Sequence, residues 1–228
     1  MSHELWSEVD RYISDRLLGE DPVLDAALAD SAAGGLPPIA VSPPQGKLLH
    51  LLARVHGAKR ILEVGTLGGY STIWMARALP KDGRLVTLEL DPGYAEIARA
   101  NAERAGLAGL IDIRIGDAHE SLDALVAERP DPFDMVFIDA DKQSTPEYFA
   151  AALELSRPGG VIVVDNVVRG GALIDADGTD PGPRGMRRFH DQLALGSLNG
   201  HSFDATTIQT VGLKGYDGFT LVLLYARS

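Results

Sequence analysis

The chain has 228 residues, a formal net charge of −11 and no cysteine. Its length suits one domain, or one domain with an appendage, and 45% hydrophobic with 23% charged residues is typical of a folded globular protein. The acidic balance argues against binding to duplex nucleic acid or to an anionic membrane surface, because both need a basic face. The missing cysteines exclude disulfides, thiolate metal sites and a cysteine nucleophile.

The N-terminal quarter of the chain is predicted to be helical. Apolar residues recur at helical spacing from Leu5 to Leu17, and Asp21-Pro22 marks the start of a second helix. Ser42-Pro43 starts a third helix, which Gly57 ends. No signal-peptide pattern and no apolar run of about 20 residues is found, so we expect a cytoplasmic protein.

From Arg60 onward, short apolar runs alternate with helical stretches, which indicates a parallel sheet covered on both faces. A late helix, a Gly-, Asp- and Pro-rich loop and two final strands without a helix between them predict an antiparallel pair at the end of the sheet. The predicted strands are Arg60–Val64, Arg84–Glu89, Ile111–Ile115, Met135–Ile138, Val161–Val164, His201–Ile208 and Gly218–Tyr225. The predicted helices are Gly69–Leu79, Pro92–Ala105, Ala118–Glu128, Thr145–Leu155 and Arg184–Leu195, and the predicted loop is Arg169–Gly185.

The first strand leads into a glycine-rich loop. Gly65, Gly68 and Gly69 let the backbone approach a ligand closely, but their spacing does not fit the dinucleotide fingerprint G-x-G-x-x-G. Glu63 lies two residues before the first glycine. A carboxylate there favours a ligand that carries an ammonium and a sulfonium group over one that carries a pyrophosphate.

Acidic residues also follow the second and third strands. Glu89 ends the second strand, where a carboxylate can accept both hydroxyls of a ribose. Asp117 and Ala118 follow the third strand, where a side chain and a backbone amide can meet an adenine ring. Together with Glu63, these residues predict a site for S-adenosylmethionine. The alternatives are that Glu63 is a surface residue, Glu89 a helix-capping acid with Asp91, and Asp117 an N-cap.

The fourth and fifth strands end in oxygen-bearing side chains. Asp139 follows the fourth strand, and Asp165 and Asn166 end the fifth, so adjacent parallel strands would place them at one edge. Oxygen ligands favour Mg²⁺, Mn²⁺ or Ca²⁺ over zinc, and such an ion bound to two vicinal hydroxyls would make a phenol easier to ionise. Lys142 is the candidate base, because a nearby dication disfavours its ammonium form. The alternatives are acids that cap loops and a solvated Lys142 paired with Asp141.

Five motifs resemble those of the cation-dependent O-methyltransferases, the caffeoyl-CoA and catechol O-methyltransferase group, and are most similar to the bacterial members. The motifs are LEVGTLGGYS at 62–71, LELD at 88–91, GDA at 116–118, DADK at 139–142 and DN at 165–166, within a stretch from about Val41 to Arg227. The resemblance implies an α/β, Rossmann-like methyltransferase fold with a seven-stranded, mostly parallel sheet whose last strand is antiparallel. Residues 1–228 would form a single domain, with an N-terminal helical cap at 1–57 and a core at 58–228.

The resemblance implies an enzyme that transfers a methyl group from S-adenosylmethionine to a hydroxyl of a small catechol-like or phenolic substrate. It implies a divalent cation, with Mg²⁺ the first choice, and a homodimer. The implied metal ligands are Asp139, Asp165 and Asn166, and the implied catalytic residues are Lys142 and Asp139. The implied cofactor contacts are Val41, Glu63, Gly65, Thr66, Gly69, Tyr70, Ser71, Glu89, Asp117, Ala118 and Asp139.

Two segments depart from the pattern of the family. Residues 41–46 lack the acidic residues of the plant enzymes, and Arg169-Gly170-Gly171 replaces a frequent aromatic residue. Both segments are expected to line the substrate side, which argues against an acyl-CoA substrate. A nicotinamide oxidoreductase would need the missing G-x-G-x-x-G loop. A catalytically inactive S-adenosylmethionine-binding protein is the remaining alternative.

Overall fold

The computed structural model describes residues 2–225. The outer ends of the predicted domain, Met1 and residues 226–228, lie outside the described part, as does the predicted end of the resembling stretch at Arg227. The described residues form two compact units. The first runs to Ala118 and includes Gly212–Lys214, and the second comprises His119–Val211 and the residues from Gly215 onward. Among residues 2–225, no helix is long and apolar enough to cross a membrane.

The first unit contains a three-stranded parallel sheet in the order β3-β2-β1, with helices packed against it. Its strands are β1 (Arg60–Val64), β2 (Arg84–Glu89) and β3 (Ile111–Ile115), as predicted. Its helices are α1 (His3–Leu17), α2 (Pro22–Ala33), α3 (Pro43–His56), α4 (Tyr70–Ala76) and α5 (Pro92–Arg104). The helix α4 is shorter than expected because Pro80 disfavours helical conformation in the residue before it, and the last turn ends early.

Local signals set the starts of these helices. Asp21 caps α2, and Ser42 forms a reciprocal capping box with Gln45 at the start of α3. Gly46 then lets α3 lie against α4, because a Cβ at this position would be 2.3 Å from Cδ1 of the buried Trp74. The fully buried apolar side chains of this unit are Ile61, Leu62, Ile73, Met75, Leu85 and Leu88.

The second unit contains β4 and β5, which are parallel, and β8, which is antiparallel to β5. The strand order is β4-β5-β8-β7-β6, so the expected antiparallel last strand is confirmed. Phe149 packs edge-to-face on Phe189 and Phe203 in the core, with ring centroids 5.2 and 5.4 Å away. The strands are β4 (Phe133–Ile138), β5 (Ser156–Asp165), β6 (Ser197–Leu198), β7 (His201–Gly212) and β8 (Gly215–Leu224). The helices are α6 (Ala118–Glu128), which begins at the last residue of the first unit's main segment, α7 (Thr145–Leu155) and α8 (Pro181–Ala194).

The predicted loop Arg169–Gly185 is partly wrong. A 3-10 turn occupies Arg169–Ile174, and α8 begins at Pro181 instead of Arg184. The helix starts early because Asp180 caps it, accepting from the backbone N–H of Gly182 at 2.9 Å, and because Pro181 suits the first helical position. The last part of this Gly- and Pro-rich stretch therefore forms the start of a helix and not a loop.

The prediction of seven strands missed one strand, since residues 2–225 contain eight. The additional strand, β6, pairs antiparallel with β7 across a two-residue turn, Asn199-Gly200. Both turn residues have positive φ values, 51° and 79°, as a type I′ turn requires. Asn-Gly is the strongest short-range hairpin signal, so the sequence carried the information for this strand.

Candidate active site

Glu63 is fully buried at the end of β1, so the alternative that it is a surface residue is wrong. Its carboxylate accepts hydrogen bonds from Ser71 Oγ at 2.5 Å, Thr72 Oγ1 at 2.5 Å and Thr87 Oγ1 at 2.7 Å. A buried carboxylate needs such donors to offset the loss of water. The three hydroxyls hold Glu63 in one orientation at the start of the glycine loop.

The hydroxyl network extends to Thr66 in the glycine loop. Thr66 Oγ1 lies 2.6 Å from Thr87 Oγ1 and 3.1 Å from the carbonyl oxygen of Leu88. Thr87 donates its hydroxyl hydrogen to Glu63 and Thr66 donates its own to Leu88, so the short contact between the two threonines shares one of these two hydrogens. Thr72 and Thr87 were missed at the sequence level. Thr87 is directly opposite Glu63 in the β1–β2 register, so strand pairing could have found it.

Glu89 anchors the glycine loop from β2. Its Oε2 accepts from the backbone N–H of Leu67 at 2.7 Å, and its Oε1 accepts from the N–H of Asp91 at 2.9 Å. Leu67 has a φ of 52°, a conformation that costs a leucine energy and that this hydrogen bond helps to hold. Asp91 alone caps α5, so the alternative in which Glu89 shares that role is wrong.

The remaining predicted cofactor residues of the first unit lie before α3, in the glycine loop and the start of α4, and after β3. Gly65 and Gly69 have φ values of 100° and 83°, which only glycine adopts easily, and Gly69 is the N-cap of α4. Val41 is buried in the extended segment before α3, and Tyr70 is buried at the first position of α4. Asp117 is exposed just before α6, and Ala118 is the half-buried first residue of that helix.

The predicted metal ligands of the second unit follow neighbouring strands. Ile138 pairs with Val164, so the next residues, Asp139 and Asp165, continue the strands side by side. Asp165 is only 5% exposed. The pKa of its carboxyl is raised to about 7, first by burial and then by the negative charge of Asp139, against a lowering influence from Lys142.

Lys142 pairs with Asp139, and the alternative that it is solvated and pairs with Asp141 is wrong. Its Nζ donates to Asp139 Oδ1 at 2.6 Å, and its side chain is 10% exposed. Asp141 is exposed and accepts from the N–H of Ser144 at 3.1 Å and from the hydroxyl of Tyr148 at 2.5 Å. Burial opposes ionisation of Asp141, but these hydrogen bonds hold the pKa of its carboxyl below the usual range.

Asn166 completes the set of oxygen-bearing side chains. Its φ is 55°, and its backbone N–H donates to Asp165 Oδ1 at 2.8 Å. The part of the chain that the structure describes has no group of three or more His, Cys, Asp or Glu side chains suited to a metal ion. The candidate set consists of two carboxylates and one amide, an all-oxygen combination that fits Mg²⁺ or Mn²⁺.

Two further residues of the second unit contact the backbone near these side chains and had no role assigned from the sequence. Asp217 Oδ1 accepts from the backbone N–H groups of Val168, Arg169 and Gly218. Gly185 on α8 lies against the turn that carries Lys142, since a Cβ there would be 2.2 Å from the Lys142 carbonyl oxygen. The Asp-Gly pair at 217–218 is a turn signal in the sequence, but both residues lie within β8, and nothing local marks Gly185 as a packing glycine.

Comparisons with known proteins identify the family to which the chain belongs. The family model described as O-methyltransferase matches residues 18–223. The catechol O-methyltransferase of Niastella koreensis is 52% identical, over 98% of this chain and 100% of its own length. The crystal structure of an O-methyltransferase from Bacillus cereus in complex with SAH has a TM-score of 0.94 and 51% identity, covering 98% of this chain and 100% of its own.

A second solved structure leads to the same conclusion. The O-methyltransferase TomG of Streptomyces achromogenes, in complex with SAM and involved in tomaymycin synthesis, has a TM-score of 0.93 and 54% identity, over 99% of this chain and 100% of its own. The matches thus extend over nearly the whole chain. The chain belongs to the O-methyltransferase family, within its caffeoyl-CoA and catechol O-methyltransferase group, and is an S-adenosylmethionine-dependent O-methyltransferase.

Proposed function

We propose that this enzyme methylates one hydroxyl of a small catechol-like acceptor and that the reaction requires a divalent cation. The observation that carries the proposal is the buried Asp165 beside Asp139, because this pair places two carboxylates where their charges disfavour one another. A bound cation would relieve that repulsion. The catechol class is supported by the name of the Niastella koreensis relative.

Asp139, Asp165 and Asn166 would hold the cation. When bound, an ion of this kind acts as a Lewis acid that lowers the pKa of a coordinated phenolic hydroxyl. The strand ends fix the two carboxylates, and the N–H of Asn166 fixes one oxygen of Asp165 at 2.8 Å. Acceptors with two vicinal hydroxyls would gain most from such a site, because both oxygens can bind at once.

Lys142 is proposed as the base. Asp139 holds its Nζ at 2.6 Å, so the side chain has a fixed position next to the proposed ligands. In the proposed reaction, Lys142 accepts the proton of the acceptor hydroxyl in its amine form, which a cation held by Asp139 would favour over the ammonium. The acceptor oxygen forms a bond to the methyl carbon. The bond between that carbon and the sulfonium sulfur breaks, which leaves S-adenosylhomocysteine. The transfer is an in-line displacement, so the residues act mainly by orientation.

The cofactor contacts remain proposals as well. Glu89 is proposed to accept the ribose hydroxyls, because each of its oxygens accepts one backbone N–H and retains a further lone pair. Glu63 is proposed to favour the cationic end of the cofactor, and Asp117 and Ala118 to contact the adenine. The other proposed contacts are Val41, Gly65, Thr66, Gly69, Tyr70, Ser71 and Asp139.

We also propose that the chain is one methyltransferase domain, with a cap at 1–57 and a core at 58–228, and that it forms a homodimer. The helix α1 supports self-association, since it has no buried residue and exposes Leu5, Val9 and Tyr12. Light scattering coupled to size-exclusion chromatography would measure the mass. A mass of one chain, 24.3 kDa, at micromolar concentration would contradict the dimer.

The test of the proposed function is methyl transfer from labelled S-adenosylmethionine to a catechol and to the matched phenol with one hydroxyl. Each acceptor is assayed with Mg²⁺ and again with a chelator. We expect transfer to the catechol only with the metal, and much less transfer to the phenol. Transfer that survives chelation would contradict the metal requirement, and equal transfer to both acceptors would contradict the catechol class.

A further inference from the structure

The segment that follows Asp165 has an unusual backbone conformation. Asn166 and Arg169 have φ values of 55° and 57°, and Gly170 and Gly171 have values of 62° and 94°. Non-glycine residues are disfavoured in this region unless the surrounding structure holds them there. An interaction outside the segment must therefore stabilise it.

Asp217, in the first part of β8, provides that interaction. Its Oδ1 accepts from the backbone N–H groups of Val168 at 2.9 Å, Arg169 at 2.9 Å and Gly218 at 3.0 Å. The carbonyl oxygen of Gly218 accepts in addition from the N–H of Val167 at 3.1 Å. Val167 and Val168 are buried, so their N–H groups would lose energy if these acceptors were absent.

The part of β8 at Asp217-Gly218 also packs tightly on the segment. A Cβ at Gly218 would lie 2.5 Å from the carbonyl oxygen of Ile208 and 2.8 Å from Cγ2 of Val168. In the β5–β8 register, Phe219 is opposite Asp165. The contact therefore follows directly from the strand pairing that carries the proposed ligand Asp165.

We infer that Asp217 is a positioning residue for the metal site. By holding the N–H groups of Val168 and Arg169, its carboxylate keeps the segment in the conformation that presents Asn166 beside Asp165. The inference rests on the proposed function, because it assumes that Asp165 and Asn166 bind a divalent cation. Mutation of residues that orient metal ligands without binding the metal themselves typically lowers metal affinity.

The test is isothermal titration calorimetry of Mn²⁺ into the full-length protein and its variants, with SAH affinity measured in parallel. Asp217→Ala removes the acceptor and the charge, whereas Asp217→Asn keeps an acceptor oxygen and removes the charge. Asp91→Ala is the control, because Asp91 also accepts two backbone N–H groups, at the start of α5. We expect Asp217→Ala to weaken Mn²⁺ affinity by about 10- to 100-fold. Asp217→Asn should retain most of the affinity, and SAH affinity should be unchanged in both.

The outcomes separate the possible failures. Equal losses in Asp217→Ala and Asp217→Asn would mean that charge, not position, matters, and would overturn the inference. So would unchanged Mn²⁺ affinity in Asp217→Ala, or an equal loss in the control Asp91→Ala. An absence of Mn²⁺ binding to the wild-type protein would overturn the proposed metal site itself, and the inference with it.

Discussion

Buried carboxylates of this enzyme differ in how their charge is compensated. Glu63 accepts from three hydroxyls, and Glu89 accepts from two backbone N–H groups. Asp165 has the negative Asp139 as a neighbour, and the pKa of its carboxyl is raised to about 7. Strongly perturbed acids of this kind concentrate at functional sites, because folding alone gains nothing from them. Glu63 and Glu89 therefore support the glycine loop, whereas the carboxyl of Asp165 is suited to a cation.

Glu89 is predicted both to hold the glycine loop and to bind the ribose of the cofactor, and these two roles can be tested separately. Glu89→Gln retains the length of the side chain, but it has one acceptor oxygen where Leu67 and Asp91 both donate. We expect cofactor affinity to fall by about 1.5–3 kcal/mol, the range for a hydrogen bond to a charged group. Calorimetry with SAH measures this loss.

The ribose role of Glu89 needs a ligand control. The wild-type protein should bind SAH more tightly than its 3′-deoxy analogue, and Glu89→Gln should discriminate less between the two. Asp91→Asn, at the cap of α5, should discriminate as the wild type does. Unchanged discrimination in Glu89→Gln would assign Glu89 to the loop alone.

The buried charge of Asp165 is predicted to lower the stability of the metal-free protein, although the same charge would bind the metal. Asp165→Asn removes the buried charge while keeping an acceptor for the N–H of Asn166. In chelator at pH 8, above the raised pKa, we expect the Tm to increase by about 2 °C or more, since 1 kcal/mol moves the Tm of a domain this size by about 2–4 °C. Metal-dependent turnover should fall by more than about 100-fold, beyond the loss typical of outer partners.

SAH binding provides the control for Asp165. Its affinity should stay close to that of the wild type in Asp165→Asn, and the exposed Asp177→Asn should change neither stability nor turnover. A parallel loss of SAH affinity and turnover in Asp165→Asn would instead indicate a structural role.

At the scale of elements, Asp21 links the start of α2 to the end of α4. It caps α2 through the N–H of Leu24 at 3.1 Å, and it forms a two-pronged ion pair with Arg77. The Arg77 guanidinium holds the pKa of this carboxyl below its ordinary value of 3.8. The ion pair thus stabilises the folded state above that value, and its contribution is lost as the pH falls towards the lower folded pKa.

Asp21→Asn is expected to lose the ion pair and keep the cap, because asparagine is as good an N-cap as aspartate. At pH 7 the free energy of unfolding should fall by about 1 kcal/mol, a modest value because both side chains are partly solvated. Urea unfolding between pH 3 and 7 measures the difference, which should shrink towards the acid end. A difference that is independent of pH would contradict the ion-pair explanation.

A second ion pair supplies the matched control. Arg104 and Asp30 are 2.6 Å apart, but each side chain is 42% exposed, compared with 27% and 30% for Arg77 and Asp21. Asp30→Asn should therefore destabilise the protein less than Asp21→Asn does.

The elements themselves were largely predictable, since apolar periodicity and capping residues determine them locally. The strand Arg60–Val64 and the helix Thr145–Leu155 agree with the sequence-based prediction. The early start of β5 at Ser156 was not predicted, because Pro158 and Gly159 disfavour a strand and only pairing with β4 stabilises it. Tertiary pairing overrides local propensity there.

At the scale of the whole molecule, motif order predicted the fold and the acidic residues at the strand ends. Apart from Thr87, which the β1–β2 register places opposite Glu63, the partners of these residues were not predictable, because they depend on contacts between distant segments. Examples are the hydrogen bonds from Leu67 to Glu89 and from Arg169 to Asp217, and the packing of Gly185 on Lys142. Sequence spacing identifies the chemical groups, whereas the fold determines what orients them.

The net charge of −11 gives a last prediction, which concerns stability. Self-repulsion of an acidic protein is screened by salt, so NaCl should raise the Tm moderately. MgCl₂ at equal ionic strength should raise the Tm further if the folded state binds the cation, because binding adds about 2.7 kcal/mol to the free energy of unfolding when the free metal is 100 times the Kd. Thermal unfolding of the metal-free protein in both salts measures the difference. Asp165→Asn should abolish the Mg²⁺-specific part and keep the NaCl response, whereas equal Tm values in the two salts for the wild type would contradict the proposed metal site.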